Sequence, residues 1–209
     1  TSFDPTIDLP STIQTLDLSY NSISEFIPTL PLPAGLQNLY LNNNSITGFT
    51  SLSPFPSNFQ SLYLNNNKLK DFDPSFPFPS LITLNLSNNL MTGFTPTQIL
   101  PSGLFTLDLS NNTITVFSPS YLGTQTPIPN TLNGLYLNNN SLNTSSIDNV
   151  LIYLNNISNW VSPDTISLFS QSGCFYNHVD GYGYTSYTGL TGQGWTVIVD
   201  DCPVSTPNY

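Results

Sequence analysis

Leucines alternate with polar residues in six short segments that recur along the chain. The segments read LDLSYN, LYLNNN, LYLNNN, LNLSNN, LDLSNN and LYLNNN, and each ends in asparagine. This alternation predicts a half-buried β-strand, in which the two leucines point inward and the residue between them points outward. The closing asparagines are Asn21, Asn44, Asn67, Asn89, Asn112 and Asn140.

A phenylalanine follows the strand segments with the same period. Successive closing asparagines are 22 or 23 residues apart, except for the last pair, which is 28 apart. Proline-rich connectors join each phenylalanine to the next strand and exclude a long helix. Two markers that keep one period predict a solenoid of stacked units. The phenylalanines are Phe3, Phe26, Phe49, Phe72, Phe94 and Phe117.

The unit L-x-x-L-x-L-x-x-N-x-I/L, followed by phenylalanine, resembles the leucine-rich repeat over residues 1–143. The resemblance implies an α/β-type solenoid dominated by β structure. In this right-handed superhelix, short parallel strands line the concave face and proline-rich segments form the convex side. The opening SFDPTIDLPS aligns with DFDPSFPFPS further on, so we expect further repeats or another chain to cover the N-terminal end. The longer unit before Asn140 predicts a protruding loop.

The closing asparagines are predicted to be structural rather than ligand contacts. The chain must turn inward after each strand, which would bury backbone groups without partners. An asparagine amide offers both donors and an acceptor, so it can bond to the backbone of its own and neighbouring units.

The pattern changes at residues 144–209, which are predicted to form a capping subdomain. SSIDNVLIYLNN predicts one helix, with a serine cap and Asp148 in its first turn. DTISLFS and GWTVIVDD predict a small strand pair, separated by a loop rich in Gly, Tyr and Thr. The order of asparagine-rich repeats, helix and closing GWTV is similar to surface leucine-rich-repeat proteins of bacteria and environmental tailed phages, and to internalin-like adhesins.

Two cysteines, Cys174 and Cys202, lie in this C-terminal part. Their separation fits one disulfide, and the lysine-poor composition favours the extracellular setting in which disulfides persist. Two buried free thiols are the alternative.

The charge balance excludes several classes of partner. Twelve acidic residues against two basic ones give a formal net charge of −10. The chain therefore has no basic stripe for nucleic acid or for an anionic membrane surface. No apolar run reaches the roughly 18 residues that a membrane span requires, so membrane insertion is not predicted.

No group of residues predicts catalysis, so we expect no enzyme, cofactor or metal. His178 is the only histidine, and no catalytic partner can be assigned to it from spacing. Asp200 and Asp201 have the chemistry to bind Ca²⁺, but adjacent carboxylates after a strand are also explained as solvated residues.

The predicted ligand-binding surface is the concave face, and the predicted function is recognition. Its tyrosines suit carbohydrate rings or protein epitopes, although Tyr40 and Tyr63 are also placed to stack on each other. We expect a non-catalytic adhesion module, extracellular, on a cell surface or on a virion, that binds a host glycan or protein. The alternative is a structural decoration or fibre subunit that packs on neighbouring subunits of a viral particle or surface layer. The candidate residues are Asp17, Tyr40, Tyr63, Asn85, Asp108 and Tyr136.

Overall fold

A computed structural model describes residues 2–98, 100–118, 128–157, 159–172 and 182–200. The predicted solenoid of short parallel strands is confirmed, and we call each of its turns a coil. The helices of the described part are α1 (Thr144–Asn155) and α2 (Tyr182–Gly192). Its strands are β1 (Ser2–Phe3), β2 (Thr15–Asp17), β3 (Glu25–Phe26), β4 (Asn38–Tyr40), β5 (Gly48–Phe49), β6 (Ser61–Tyr63), β7 (Thr83–Asn85), β8 (Gly93–Phe94), β9 (Thr106–Asp108), β10 (Val116–Phe117), β11 (Gly134–Tyr136), β12 (Thr165–Ser167) and β13 (Thr196–Ile198).

One long parallel sheet runs through the array, in the order β2-β4-β6-β7-β9-β11-β12-β13. Its register is constant, with Leu16 opposite Leu39 and Leu39 opposite Leu62. Leu39 and Leu62 are fully buried, as are the leucines two positions later, Leu41 and Leu64. Because equivalent side chains stack from coil to coil, each coil completes the core of its neighbour.

The periodic phenylalanines form a second internal column. Their strands pair into two short parallel sheets, β1-β3-β5 and β8-β10. The rings stack with centroids 5.4 Å apart for Phe3–Phe26 and for Phe26–Phe49, and 5.9 Å apart for Phe94–Phe117. The strand face and the phenylalanine column thus enclose the core from opposite sides.

Closing asparagines tie each coil to the coil before it. Asn112 is typical: its Oδ1 accepts the backbone N–H of Met91 at 3.0 Å. Its Nδ2 donates to the carbonyls of Leu109 in its own coil and Leu86 in the preceding coil, both at 3.1 Å. The same three contacts recur at Asn44, Asn67, Asn89 and Asn140.

Asn21, in the first described coil, differs from the other closing asparagines. It is exposed, and its Nδ2 donates to the carbonyls of Leu18 and Ser19 in its own coil. The chain therefore contains an internal control, since among the described residues the same residue type stands in the same register with side-chain hydrogen bonds to its own coil alone.

The residue before each closing asparagine has a left-handed backbone, with φ between 54° and 58°. Asparagine tolerates this conformation better than most residues, because its short polar side chain can bond locally. This need explains why most of the strand segments end in two asparagines. The residues are Tyr20, Asn43, Asn66, Asn88, Asn111 and Asn139, and Ser170 in the C-terminal part.

Ser170 belongs to a seventh coil, in which glutamine replaces the closing asparagine. Gln171 Oε1 accepts the N–H of Leu142 at 3.1 Å, and its Nε2 donates to the carbonyl of Leu137 in the preceding coil. The segment ISLFSQ therefore repeats the earlier segments with Gln in place of Asn. The backbone ladder continues as well, because the Leu168 N–H donates to the carbonyl of Ile198.

Gln171→Ala is expected to lower the free energy of unfolding by about 1–3 kcal/mol, because the partly buried N–H of Leu142 loses its acceptor and the Leu137 carbonyl keeps only the amide of Asn140 as a side-chain donor. Urea unfolding followed by circular dichroism measures the change. Gln14→Ala is the control, since Gln14 is exposed in the first coil and should change stability by less than about 0.5 kcal/mol. Equal losses in the two variants would contradict the role of Gln171.

The C-terminal strands differ from the predicted separate pair. β12 pairs with β11 and β13 pairs with β12, all in parallel, so both strands extend the long sheet. Ile166 and Val197 occupy the register of Leu135 in β11. The long sheet therefore extends beyond the predicted end of the repeats at residue 143, because two of its strands follow α1 in the chain.

Helix α1 lies in the predicted segment but begins differently from the prediction. Its cap is Asn143 rather than serine, and Asn143 Oδ1 accepts the N–H of Ser146 at 2.8 Å. Asp148 lies beyond the first turn, and burial raises the pKa of its carboxyl. The buried face of α1 comprises Ile147, Val150, Leu151 and Leu154.

A second helix, α2, occupies part of the segment that was predicted as a loop. It packs closely on α1 at Gly189, where an added Cβ would stand 2.2 Å from Asn155 Oδ1. Nearby, Trp160 and Trp195 pack edge to face with centroids 4.9 Å apart. Within the described residues, neither helix has the length and hydrophobicity to cross a membrane.

Candidate ligand-binding surface on the concave sheet

The residue between the two leucines of each strand segment points away from the core. These residues form one column on the long sheet. We call the outward side of this sheet the concave face. The strand pairing places the six candidate residues side by side in neighbouring coils. In chain order the column reads Asp17, Tyr40, Tyr63, Asn85, Asp108 and Tyr136, and it continues with Ser167 and Ile198.

Tyr40 and Tyr63 stack on each other on this face. Their centroids are 4.9 Å apart and their planes differ by 8°. Burial, with a smaller contribution from the neighbouring Tyr40, raises the pKa of the Tyr63 hydroxyl. The stacked pair forms a half-buried aromatic block in which each ring covers the inner face of the other.

The raised pKa of Tyr63 predicts a loss of stability at alkaline pH. The unfolded chain releases this proton first, near pH 10, so the contribution is present below pH 10 and falls as the pH rises further. Tyr63→Phe should therefore reduce the dependence of stability on pH above about pH 10. Urea unfolding at pH 8 and pH 10.5 measures this, with Tyr20→Phe as the control. The same change in the free energy of unfolding between these two pH values for both variants and the wild type would contradict the prediction.

Three other column residues turn back onto their own coil. Asp108 Oδ1 accepts from the N–H and the hydroxyl of Ser110, at 3.0 and 2.7 Å. Asn85 makes the same pair of contacts with Ser87, and Asp17 makes them with Ser19. The side-chain and backbone hydrogen bonds from Ser19 lower the pKa of Asp17.

The sequence carries a signal for this arrangement that residue-type reasoning missed. Every coil with Asp or Asn at the column position has serine two residues later, whereas every coil with tyrosine has asparagine there. Acidic and amide column residues thus form a local turn with serine, whereas the tyrosines make no such turn.

Tyr136 adopts a third arrangement. Its ring lies over Gly134, where an added Cβ would be 2.9 Å from a ring carbon. Other coils carry a side chain at the position of Gly134, as at Thr106 and Ser61. The glycine therefore provides the space into which Tyr136 folds.

Two exposed apolar side chains border the same face and were not among the predicted site residues. Ile82 and Phe105, each 40% exposed, immediately precede β7 and β9. Earlier coils carry glutamine at this register, as at Gln37 and Gln60. The change from Gln to Ile and Phe was the signal available in the sequence.

Several predicted features lie outside the described residues. They are Cys174 and Cys202 with their disulfide, His178, Asp201 and most of the predicted protruding loop. Asp200 is described, and its carboxylate accepts the N–H groups of Ser170 and Gln171. The described part of the chain holds no cluster of three or more His, Cys, Asp or Glu suited to a metal.

The family comparison agrees with this geometry. The model of the leucine-rich repeat matches residues 12–32, 35–57, 80–101 and 103–124. These segments are leucine-rich repeats. Residues 58–79, between the second and third match, carry the same strand and closing asparagine as their neighbours.

Leucine-rich repeats commonly mediate protein–protein recognition, and the family is generally a non-enzymatic interaction module. A search of curated proteins found no match to the chain.

Proposed function

We propose that this leucine-rich-repeat array is a non-catalytic recognition module that binds a protein through its concave face. The observation that carries the proposal is the stacked Tyr40–Tyr63 pair on a continuous sheet of eight strands. Tyrosine offers a large apolar area with a polar tip, and aromatic residues are enriched where binding energy concentrates. Because stacking already orders both rings, a partner loses little entropy in fixing them.

The arrangement of the rings favours a protein over a glycan. A sugar binds an aromatic residue mainly through the ring face, and the stack covers the two inner faces. The half-buried tyrosines carry hydroxyl groups, and the partly exposed amides of Asn42 and Asn65 lie two residues further along the same coils, so the block instead suits hydrogen bonds to a protein surface. Glycan binding is the competing outcome of the test.

We also propose an extracellular, cell-surface or virion location. The low lysine content and the resemblance to surface proteins support it. Antibody labelling of intact cells and of purified particles from the source organism tests this. Labelling that appears only after cells are permeabilised would contradict it.

The binding test compares three proteins with the same probes. A display library of random 12-residue peptides and a glycan array are each screened with the wild type, with Tyr40→Ala/Tyr63→Ala, and with Tyr20→Asn. The double variant should bind the selected peptides at least tenfold more weakly than the wild type, as expected for the loss of an aromatic anchor that contributes about 2 kcal/mol.

Tyr20→Asn is the matched control for loss of an exposed tyrosine. Tyr20 is 79% exposed, and its register holds asparagine in the next five coils, so the fold is retained. This variant should bind peptides like the wild type. Peptide binding that survives in the double variant would contradict the proposal, as would glycan binding that depends on the two tyrosines in the absence of peptide binding.

A further inference from the structure

The fourth and fifth leucine-rich-repeat coils carry an apolar pair at the border of the concave face. The Phe105 N–H donates to the carbonyl of Ile82 at 2.8 Å, so the two residues stand next to each other in adjacent coils. Each side chain is 40% exposed. The equivalent position is polar before β2, β4, β6, β11 and β12, and before β13 it is the buried Trp195; the polar residues are Gln14, Gln37, Gln60, Asn133 and Asp164.

The central column carries short side chains, bonded to their own coil, in the same two coils. Asn85 and Asp108 bond to the serine two residues later, with the larger Tyr63 on one side of them and the ring of Tyr136, which lies over Gly134, on the other. Neighbouring strands are about 4.8 Å apart, so three strand steps separate the two tyrosines by about 14 Å. We call this depression, with its floor at Asn85 and Asp108, the trough.

Charge gives the trough a preferred partner. Asp108 contributes a carboxylate to the floor, and one of its oxygens accepts both hydrogen bonds from Ser110. The chain has only two basic residues, Lys68 and Lys70, and both follow the closing asparagine of the third coil, away from the strands. A basic group on a partner would therefore meet the Asp108 carboxylate, which repels an acidic competitor.

We infer that the trough binds a protein segment in which a lysine or arginine stands next to an apolar side chain. The apolar side chain covers Ile82 and Phe105, and the basic group reaches Asp108. Three residues of extended chain, about 10 Å, separate Phe105 from Asp108. Same-side neighbours in an extended partner lie about 7 Å apart, and a long basic side chain spans the remainder. This inference rests on the recognition function proposed above.

The chain supplies substitutions that test the trough with little disturbance of the fold. Ile82→Gln and Phe105→Gln introduce the residue that earlier coils carry at this register. Asp108→Asn introduces the residue of the preceding coil, Asn85, which makes the same two contacts with serine. Thermal unfolding of each variant should match that of the wild type within a few degrees.

The experiment selects peptides from the random 12-residue display library on the wild-type chain at about 50 mM salt. Selected sequences should contain Lys or Arg within two residues of Leu, Ile, Met or Phe. Synthetic copies should bind at least tenfold more weakly to Asp108→Asn and to Phe105→Gln, by fluorescence anisotropy. Binding should also weaken as salt is raised to about 300 mM, because a charge pair contributes to it.

The outcomes separate this inference from the proposed function. Peptides that require Tyr40 and Tyr63 but tolerate Asp108→Asn and Phe105→Gln would overturn the trough and leave concave-face recognition standing. Enrichment of acidic or uncharged sequences would also overturn it. Peptides that tolerate every concave substitution, or a selection that enriches none, would count against both proposals.

Discussion

Replacing Asn112 by aspartate is expected to lower the free energy of unfolding at pH 7 by about 3–5 kcal/mol. Asn112 is buried, and its amide donates to the carbonyls of Leu86 and Leu109. Aspartate keeps the shape and the acceptor for Met91 but loses both donors. Each of the two carbonyls keeps a second amide donor, from Asn89 or Asn140, but a buried carboxylate must be desolvated and faces their oxygen atoms where the amide donated.

Asn21→Asp is the matched control. Asn21 is exposed, and within the described part of the chain its amide bonds to its own coil alone, so the same substitution should cost less than about 1 kcal/mol. Urea unfolding of the two variants measures the difference. The deficit of Asn112→Asp should shrink relative to the wild type as the pH falls towards about 4, because a buried carboxyl takes up its proton before an exposed one. An equal loss of unfolding free energy at Asn21 and Asn112 would contradict the role of the closing asparagines in joining neighbouring coils.

Phe94→Ala should cost about 3–5 kcal/mol, the range for removal of a buried aromatic side chain. Phe94 is 1% exposed and stacks on Phe117 with centroids 5.9 Å apart. Its removal leaves a cavity that two neighbouring coils cannot close without moving their strands. Thermal and urea unfolding measure the loss.

Phe105→Ala provides the comparison within the same residue type. Phe105 is 40% exposed at the border of the concave face, so its removal should cost less than about 1 kcal/mol. A loss at Phe105 equal to that at Phe94 would contradict the assignment of Phe94 to the internal column and of Phe105 to the surface.

The repeating part of the fold could be predicted because every coil buries the same residue types at the same positions. The leucine, asparagine and phenylalanine positions recur with one period, and each residue type has a single physical role. Asn44 and Asn140 therefore occupy equivalent environments although 96 positions separate them.

The C-terminal coils were harder to predict because different residue types make the contacts that asparagine and leucine make in the earlier coils. Gln171 makes the contacts of a closing asparagine with a longer side chain, which hides the repeat ISLFSQ from a search for asparagine. Helix α2 has the sequence YGYTSYTGLTG, whose Gly, Thr and Tyr residues have low helix propensity. Close packing against α1 at Gly189 accompanies this helix, a tertiary contact that local sequence does not reveal.

The candidate surface was predicted by position but not by conformation. Alternation in the strands places the six column residues correctly, because strand geometry fixes which side chains face outward. It does not say that Asp108 would bond to Ser110, that Tyr136 would lie over Gly134, or that Tyr40 would stack on Tyr63. These contacts depend on pairs of residues, and they turn a uniform column into an aromatic block followed by a trough.

Side-chain amide hydrogen exchange, measured by NMR, tests the stacked-coil account most directly. The Nδ2 groups of the interior closing asparagines bridge two coils, whereas that of Asn21 bonds within its own coil. The account predicts slow exchange for Asn44, Asn67, Asn89, Asn112 and Asn140, and fast exchange for Asn21. Exchange at the rate of a free amide for all six would contradict it.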